Sequence, residues 1–251
     1  MKDKELLIFP VLSGIACLLV LATFAVPTYL ADAWQVPGRE APASEQIVFY
    51  GLIFLFYYCN FFVITFFNSA IVGSAVMRLS GREPTFGDAL MAAMNRLPQI
   101  AAWAFLAATF SVVLKIIESR SERVGQFVVA VLGTAWTVTT FLVVPVLVVE
   151  GIGPIDAFKR SSKLLVKTWG QQLFGNSSFG IIFFLLSLPA DSRWAGQRLA
   201  AVLAAVYLLV LGVVQSTLQA IFQAAIYVYA SEGHEPAGFN HGLLSNAVVH
   251  R

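Results

Sequence analysis

Residues 46–77 read QIVFYGLIFLFYYCNFFVITFFNSAIVGSAVM, thirty-two residues without a charge. A helix needs about 20 apolar residues to cross a hydrocarbon core of roughly 30 Å, so this run alone is long enough to span a membrane. At about 1.5 Å per residue it would reach roughly 48 Å, and it must tilt, kink or project beyond the core. A β-barrel strand would alternate over about ten residues rather than stay apolar for three times that length. Charge returns at Arg78, and the segment closes on Gly81-Arg82-Glu83-Pro84.

The same reading applied outward finds five more uncharged stretches: Leu6 to Ala31, Leu97 to Leu114, Val124 to Val149, Thr168 to Ala190 and Leu199 to Ser231. Spans are therefore predicted at about 6–31, 47–77, 97–114, 124–149, 172–190 and 199–230. Composition agrees. The chain is 58% hydrophobic and 12% charged, against about 25% charged for an ordinary soluble domain, which excludes a water-soluble globule. Lys2 and Lys4 precede the first stretch as in a signal peptide, but its apolar run is too long for that, so it reads as an uncleaved first span.

Gly-x-x-Pro recurs at Gly81 to Pro84, Gly151 to Pro154 and Gly233 to Pro236, each time where an even-numbered span ends. Proline suits a first helical turn because its missing N–H would have no partner there. Short amphipathic helices are expected to follow at about 84–96, 154–169 and 236–249. In the first, Phe86, Leu90, Met94 and Leu97 share a face; in the second, Ile155, Phe158, Leu165 and Trp169 do. The predicted fold is an all-α polytopic membrane helix bundle, a single domain over 1–251. Its six transmembrane helices form three parallel hairpin repeats, each followed by a short cytoplasmic amphipathic helix. Lys and Arg number ten on the side holding both termini and six on the other, which orients both termini to the cytoplasm of the cell (inner) membrane.

Polar residues inside the spans define one candidate layer. Gln215, Gln219 and Gln223 stand at i, i+4 and i+8 on one helix face. Measured back from the repeat glycines, Asn68 lies 13 residues away, and Thr137 and Gln219 lie 14 away, which gives the three a similar depth. Asn60 is a further polar residue of the second span. Such groups either hydrogen-bond between helices and hold the bundle together, or line a cavity for a solute, ion or lipid headgroup. No Asp, Glu, Lys, Arg or His interrupts the six stretches, so a proton relay has no evident carrier.

Lys159, Arg160, Lys163 and Lys167 form the densest cationic cluster. They are candidate contacts for anionic lipid, or simply a positive anchor that fixes topology. Glu150 ends the fourth span, where it favours the positive end of the helix opened by Pro154 or contacts the lysines. Catalysis has little support: His234, His241 and His250 all fall in the C-terminal tail, and Ser161-Ser162 and Ser177-Ser178 have no nearby base. Cys17 and Cys59 lie mid-span as packing residues, and no cofactor, metal or nucleic-acid site is expected.

The segments Lys2-Asp3-Lys4-Glu5-Leu6-Leu7-Ile8-Phe9-Pro10, Val144 to Gly151 and Ala157-Phe158-Lys159-Arg160-Ser161 resemble a family of uncharacterised prokaryotic six-helix integral membrane proteins. That family is in turn distantly similar to the membrane domain of some glycerophosphoryl diester phosphodiesterases. The resemblance implies a multi-pass membrane protein without an assigned activity and carries over no functional residue. The expected function is non-enzymatic: binding or organising membrane lipids, partner membrane proteins or further copies of itself. The alternative is a passive channel or transporter for a small solute through the polar layer.

Overall fold

The computed structural model describes residues 7–30, 42–120, 122–166 and 197–232, and every regular element among them is a helix. In chain order these are α1 (Ile8–Leu30), α2 (Ala43–Leu79), α3 (Phe86–Met94), α4 (Leu97–Arg120), α5 (Glu122–Thr139) and α6 (Val143–Val149). They are followed by α7, helical over 154–166, and α8 (Gln197–Glu232). Five segments are long and apolar enough to cross a membrane: Ile8–Val26, Ala43–Leu79, Leu97–Glu118, Gln126–Val149 and Tyr207–Ser231. The expected span at 172–190 and the expected helix at 236–249 lie outside the described residues.

The C-terminal half of α2 is the hub of the bundle. Residues 69–75, Ser-Ala-Ile-Val-Gly-Ser-Ala, are buried on every side of the helix. Small side chains permit this, because neighbouring backbones can approach closely only where little projects between them. Gly73 is a point of close approach: a Cβ built there would lie 2.7 Å from Ala92 Cβ of α3 and 3.4 Å from Val148 Cγ1 of α6. Ala70, Ile71, Val72 and Ala75 pack with Phe9 of α1, Ala89 and Ala93 of α3, Ile100 of α4, and Ala220 and Ala224 of α8. The outer surface is the reverse. Large apolar side chains such as Leu18 and Leu19 of α1, Ile47 of α2, Phe127 of α5 and Leu209 of α8 stand exposed, which suits hydrocarbon rather than water.

α2 ends in a full Schellman motif. Gly81 has φ +80°, its N–H donates to the Arg78 carbonyl at 2.9 Å, and the Arg82 N–H donates to the Met77 carbonyl at 3.1 Å. Gly151 has φ +66° after α6. The two described Gly-x-x-Pro copies thus share a left-handed glycine at a helix end, while Gly233 and Pro236 fall outside the described residues.

The helices that follow differ in detail from expectation. α3 begins at Phe86 rather than at Pro84, because Thr85 supplies the cap. The Thr85 N–H and hydroxyl donate to Asp88 Oδ2 at 2.8 and 2.7 Å, and the Asp88 N–H donates to Thr85 Oγ1 at 3.2 Å, a complete capping box. Those two bonds from Thr85, the backbone one foremost, hold the Asp88 carboxyl below its ordinary pKa. The buried face of α3 is Ala89 and Ala93, whereas Met91 and Met94 are exposed. In α7 the buried face is Ala157, Ser161, Leu164 and Leu165, and Ile155 points outward.

The largest departure is in the fourth span, expected as one helix over 124–149. It breaks at residues 140–142 into α5 and α6. Pro145 is the chemical cause, since it offers no N–H to the Phe141 carbonyl four residues back. The chain tightens locally, with the Phe141 N–H donating to the Val138 carbonyl at 3.3 Å and the Val143 N–H to the Thr140 carbonyl at 3.0 Å.

Candidate functional site: a polar junction at one end of the bundle

Breaking a helix frees backbone groups, and α7 supplies the side chain that satisfies two of them. Ser161, fully buried, donates its hydroxyl to the Thr139 carbonyl at 2.7 Å and accepts from the Leu142 N–H at 3.1 Å. One hydroxyl thereby bridges the two sides of the break. The adjacent residue holds the other end of α6: Arg160 Nε donates to Glu150 Oε1 at 2.9 Å. Residues 160 and 161 together fasten α7 to both ends of the short helix.

Two further helices converge on the same place. Tyr227 of α8 donates its hydroxyl to Glu150 Oε1 at 3.1 Å. Arg96, in the turn before α4, donates from Nε to the Val148 carbonyl at 3.0 Å, and Gln99 Nε2 donates to the Gly151 carbonyl at 3.2 Å. Val148 stands where Arg78 stands relative to Gly81, so a guanidinium here serves a carbonyl that a backbone N–H serves at the end of α2. Gly151 is constrained twice over, because its φ is positive and a Cβ at this position would run into the Arg96 guanidinium. Nearby, Trp136 of α5 stacks between Trp103 at 5.5 Å and Phe110 at 4.1 Å, and also meets Phe158 of α7 at 5.8 Å.

Phe9 stacks on Phe86 at 4.7 Å, so the start of α1 lies at this end as well. The N-termini of α1 and α4 and the C-termini of α2, α6 and α8 therefore gather at one end of the bundle, together with α3 and α7.

The sequence-derived candidates distribute unevenly. Thr137 is exposed and donates to the Gly133 carbonyl of its own helix at 2.9 Å. Asn60 is half-buried and donates to the Phe56 carbonyl at 2.9 Å. Asn68, Gln215 and Gln219 are half-buried, and Gln223 is buried. Of the cations, Lys159 and Lys163 are exposed, Arg160 is engaged by Glu150, and Lys167 lies outside the described residues. Lys159 reaches Asp156 at 3.7 Å, an exposed pair that contributes little. The carboxylate of Glu150 thus meets an arginine and a tyrosine rather than the described lysines, Lys159 and Lys163. Arg96, Gln99, Ser161 and Tyr227 were not legible as partners from the sequence; Pro145 inside an apolar run was the available signal that something must serve a break.

Among the described residues no group of three or more His, Cys, Asp or Glu side chains could hold a metal. What the junction offers is a set of ties between helices. An all-helical bundle with five segments fit to cross a membrane, an apolar exterior and a polar junction at one end defines a polytopic helical membrane protein. More narrowly, the chain belongs to the Family of unknown function (DUF6159), whose family model matches residues 47–239. No curated protein and no solved structure matches it.

Proposed function

We propose that this is a multi-pass protein of the cell (inner) membrane, with six spans in three hairpin repeats and both termini cytoplasmic. It binds or organises lipid or partner membrane proteins without catalysing a reaction. The observation that carries the lipid reading is the two-sidedness of α7. Arg160 and Ser161 face inward to hold α6, while Lys159 and Lys163 stand exposed on the same helix as the exposed apolar Ile155 and Val166. Apolar stems and cationic heads on one outward surface suit the boundary between acyl chains and headgroups. The direction of α8 supports the six-span topology, because it ends at the same end of the bundle as α2 and α6.

Each juxtamembrane cation is worth about 1 kcal/mol toward an anionic surface, so removing two should weaken anionic lipid binding roughly tenfold to thirtyfold. Native mass spectrometry of the full chain should show anionic phospholipid retained, and largely lost from the Lys159→Gln, Lys163→Gln double variant, with zwitterionic lipid unchanged. Equal retention of anionic lipid by both proteins would refute the reading.

A passive conduit for a small solute is the second reading. Its support is Gln223, buried on the Gln215, Gln219, Gln223 face with an unpartnered amide oxygen. The outward, self-satisfied Thr137 weighs against a continuous polar layer.

A further inference from the structure

Hydroxyls in this bundle usually bond to the carbonyl four residues back, as Thr23, Thr109, Ser111, Thr134, Ser162, Thr217 and Ser231 do. Ser69 breaks that habit. It is fully buried, yet its Oγ has no hydrogen-bond partner. Gln223 Oε1 is the second such atom, on a residue only 7% exposed. The third, Gln99 Oε1, belongs to the junction around Arg96. A buried polar atom without a partner is costly enough that it calls for an explanation.

Helical phase places Ser69 and Gln223 toward the same element, α6. At about 100° per residue, Ser69 lies on the side of α2 shared by Gly73 and Val76. Gly73 approaches Val148 of α6, and Val76 packs against the cluster containing Val146 and Leu147. Gln223 lies on the side of α8 shared by Ile226, Tyr227 and Ala230, which belong to that same cluster. Both residues sit about one helical turn inward from contacts made at the C-terminal end of α6, Gly73 with Val148 and Tyr227 with Glu150. One turn inward on α6 is Pro145, which denies the Phe141 carbonyl its helical N–H.

We propose that Ser69, Gln223 and the Phe141 carbonyl frame a binding site for a water-sized, neutral hydrogen-bond donor at the break in the fourth span, between α2, α6 and α8. The donor set specifies the occupant. Two carbonyl-type oxygens accept and one hydroxyl does either, so the fitting molecule donates two hydrogen bonds and accepts one, as water does. Among the described residues no group of three or more His, Cys, Asp or Glu side chains could hold a metal, so a cation lacks its usual ligand charge here. The inference does not rest on the lipid-binding reading.

Radiolytic hydroxyl labelling tests it, because radicals form at bound water and mark its neighbours even where bulk solvent has no access. In the intact protein Phe141, 8% exposed, should be modified severalfold faster than Trp103, 6% exposed, after correction for intrinsic reactivity. Ser69→Ala and Gln223→Met should each bring Phe141 down toward the Trp103 rate. A Phe141 rate no higher than that of Trp103 in the unmodified protein would overturn the proposal whether or not the variants fold. A raised rate that neither substitution changes would overturn it as well.

Discussion

Gly151→Val will be strongly damaging, with a loss of about 3–5 kcal/mol and a melting temperature lower by about 10 °C or more. Two causes add. A β-branched residue resists φ +66°, and its Cβ would occupy the space of the Arg96 guanidinium. Moving Arg96 aside then costs its bond to the Val148 carbonyl. Thermal unfolding of purified protein separates the two. Gly151→Ala combined with Arg96→Ala should recover part of the loss seen in Gly151→Ala alone, because space is restored while the backbone strain stays. If Gly151→Ala is neutral, or the pair is no better than the sum of its singles, the junction is not as tight as described.

Ser161→Ala should cost about 2–4 kcal/mol, because it strips partners from the Thr139 carbonyl and the Leu142 N–H at once in a fully buried setting. Ser162→Ala is the built-in control. Its hydroxyl donates only to the Phe158 carbonyl of its own helix, and that carbonyl is served by the helix without it. Melting temperatures of the two variants should therefore differ by several degrees, with Ser162→Ala close to the parent. Similar effects at both positions would mean that Ser161 does not bridge the break.

These residues show where sequence reading succeeds and where it stops. Apolar length was enough to expect several membrane-crossing segments, and five of the described ones are long and apolar enough to cross, because hydrocarbon thickness imposes a length that needs no tertiary knowledge. Gly81 and Gly151 were legible because a positive φ at a helix end is a local demand on one residue. The break at residues 140–142 was not. Valine, leucine and phenylalanine run uniformly through it, and proline alone is compatible with a kink, a stop or the first turn of a new helix. Distance along the chain also fixed depth without fixing azimuth. Thr137 lies the same number of residues from its glycine as Gln219 does, yet it faces outward and satisfies itself. Arg96 and Arg160 looked like two more cations on the positive side. What distinguishes them is a pair of contacts, with Val148 and Glu150, that only packing creates.

α2 is the membrane-crossing hub, with one end among α3, α7 and the polar junction and the other end opposite. Ser44 and Ser80, both exposed, mark those two ends. Cysteines placed singly at these positions, in a background where Cys17 and Cys59 are replaced by alanine, can be labelled with a membrane-impermeant maleimide in sealed inside-out vesicles. Ser80→Cys should react at once and Ser44→Cys only after the vesicles are opened. Reaction of both, or of neither, before opening would contradict this arrangement.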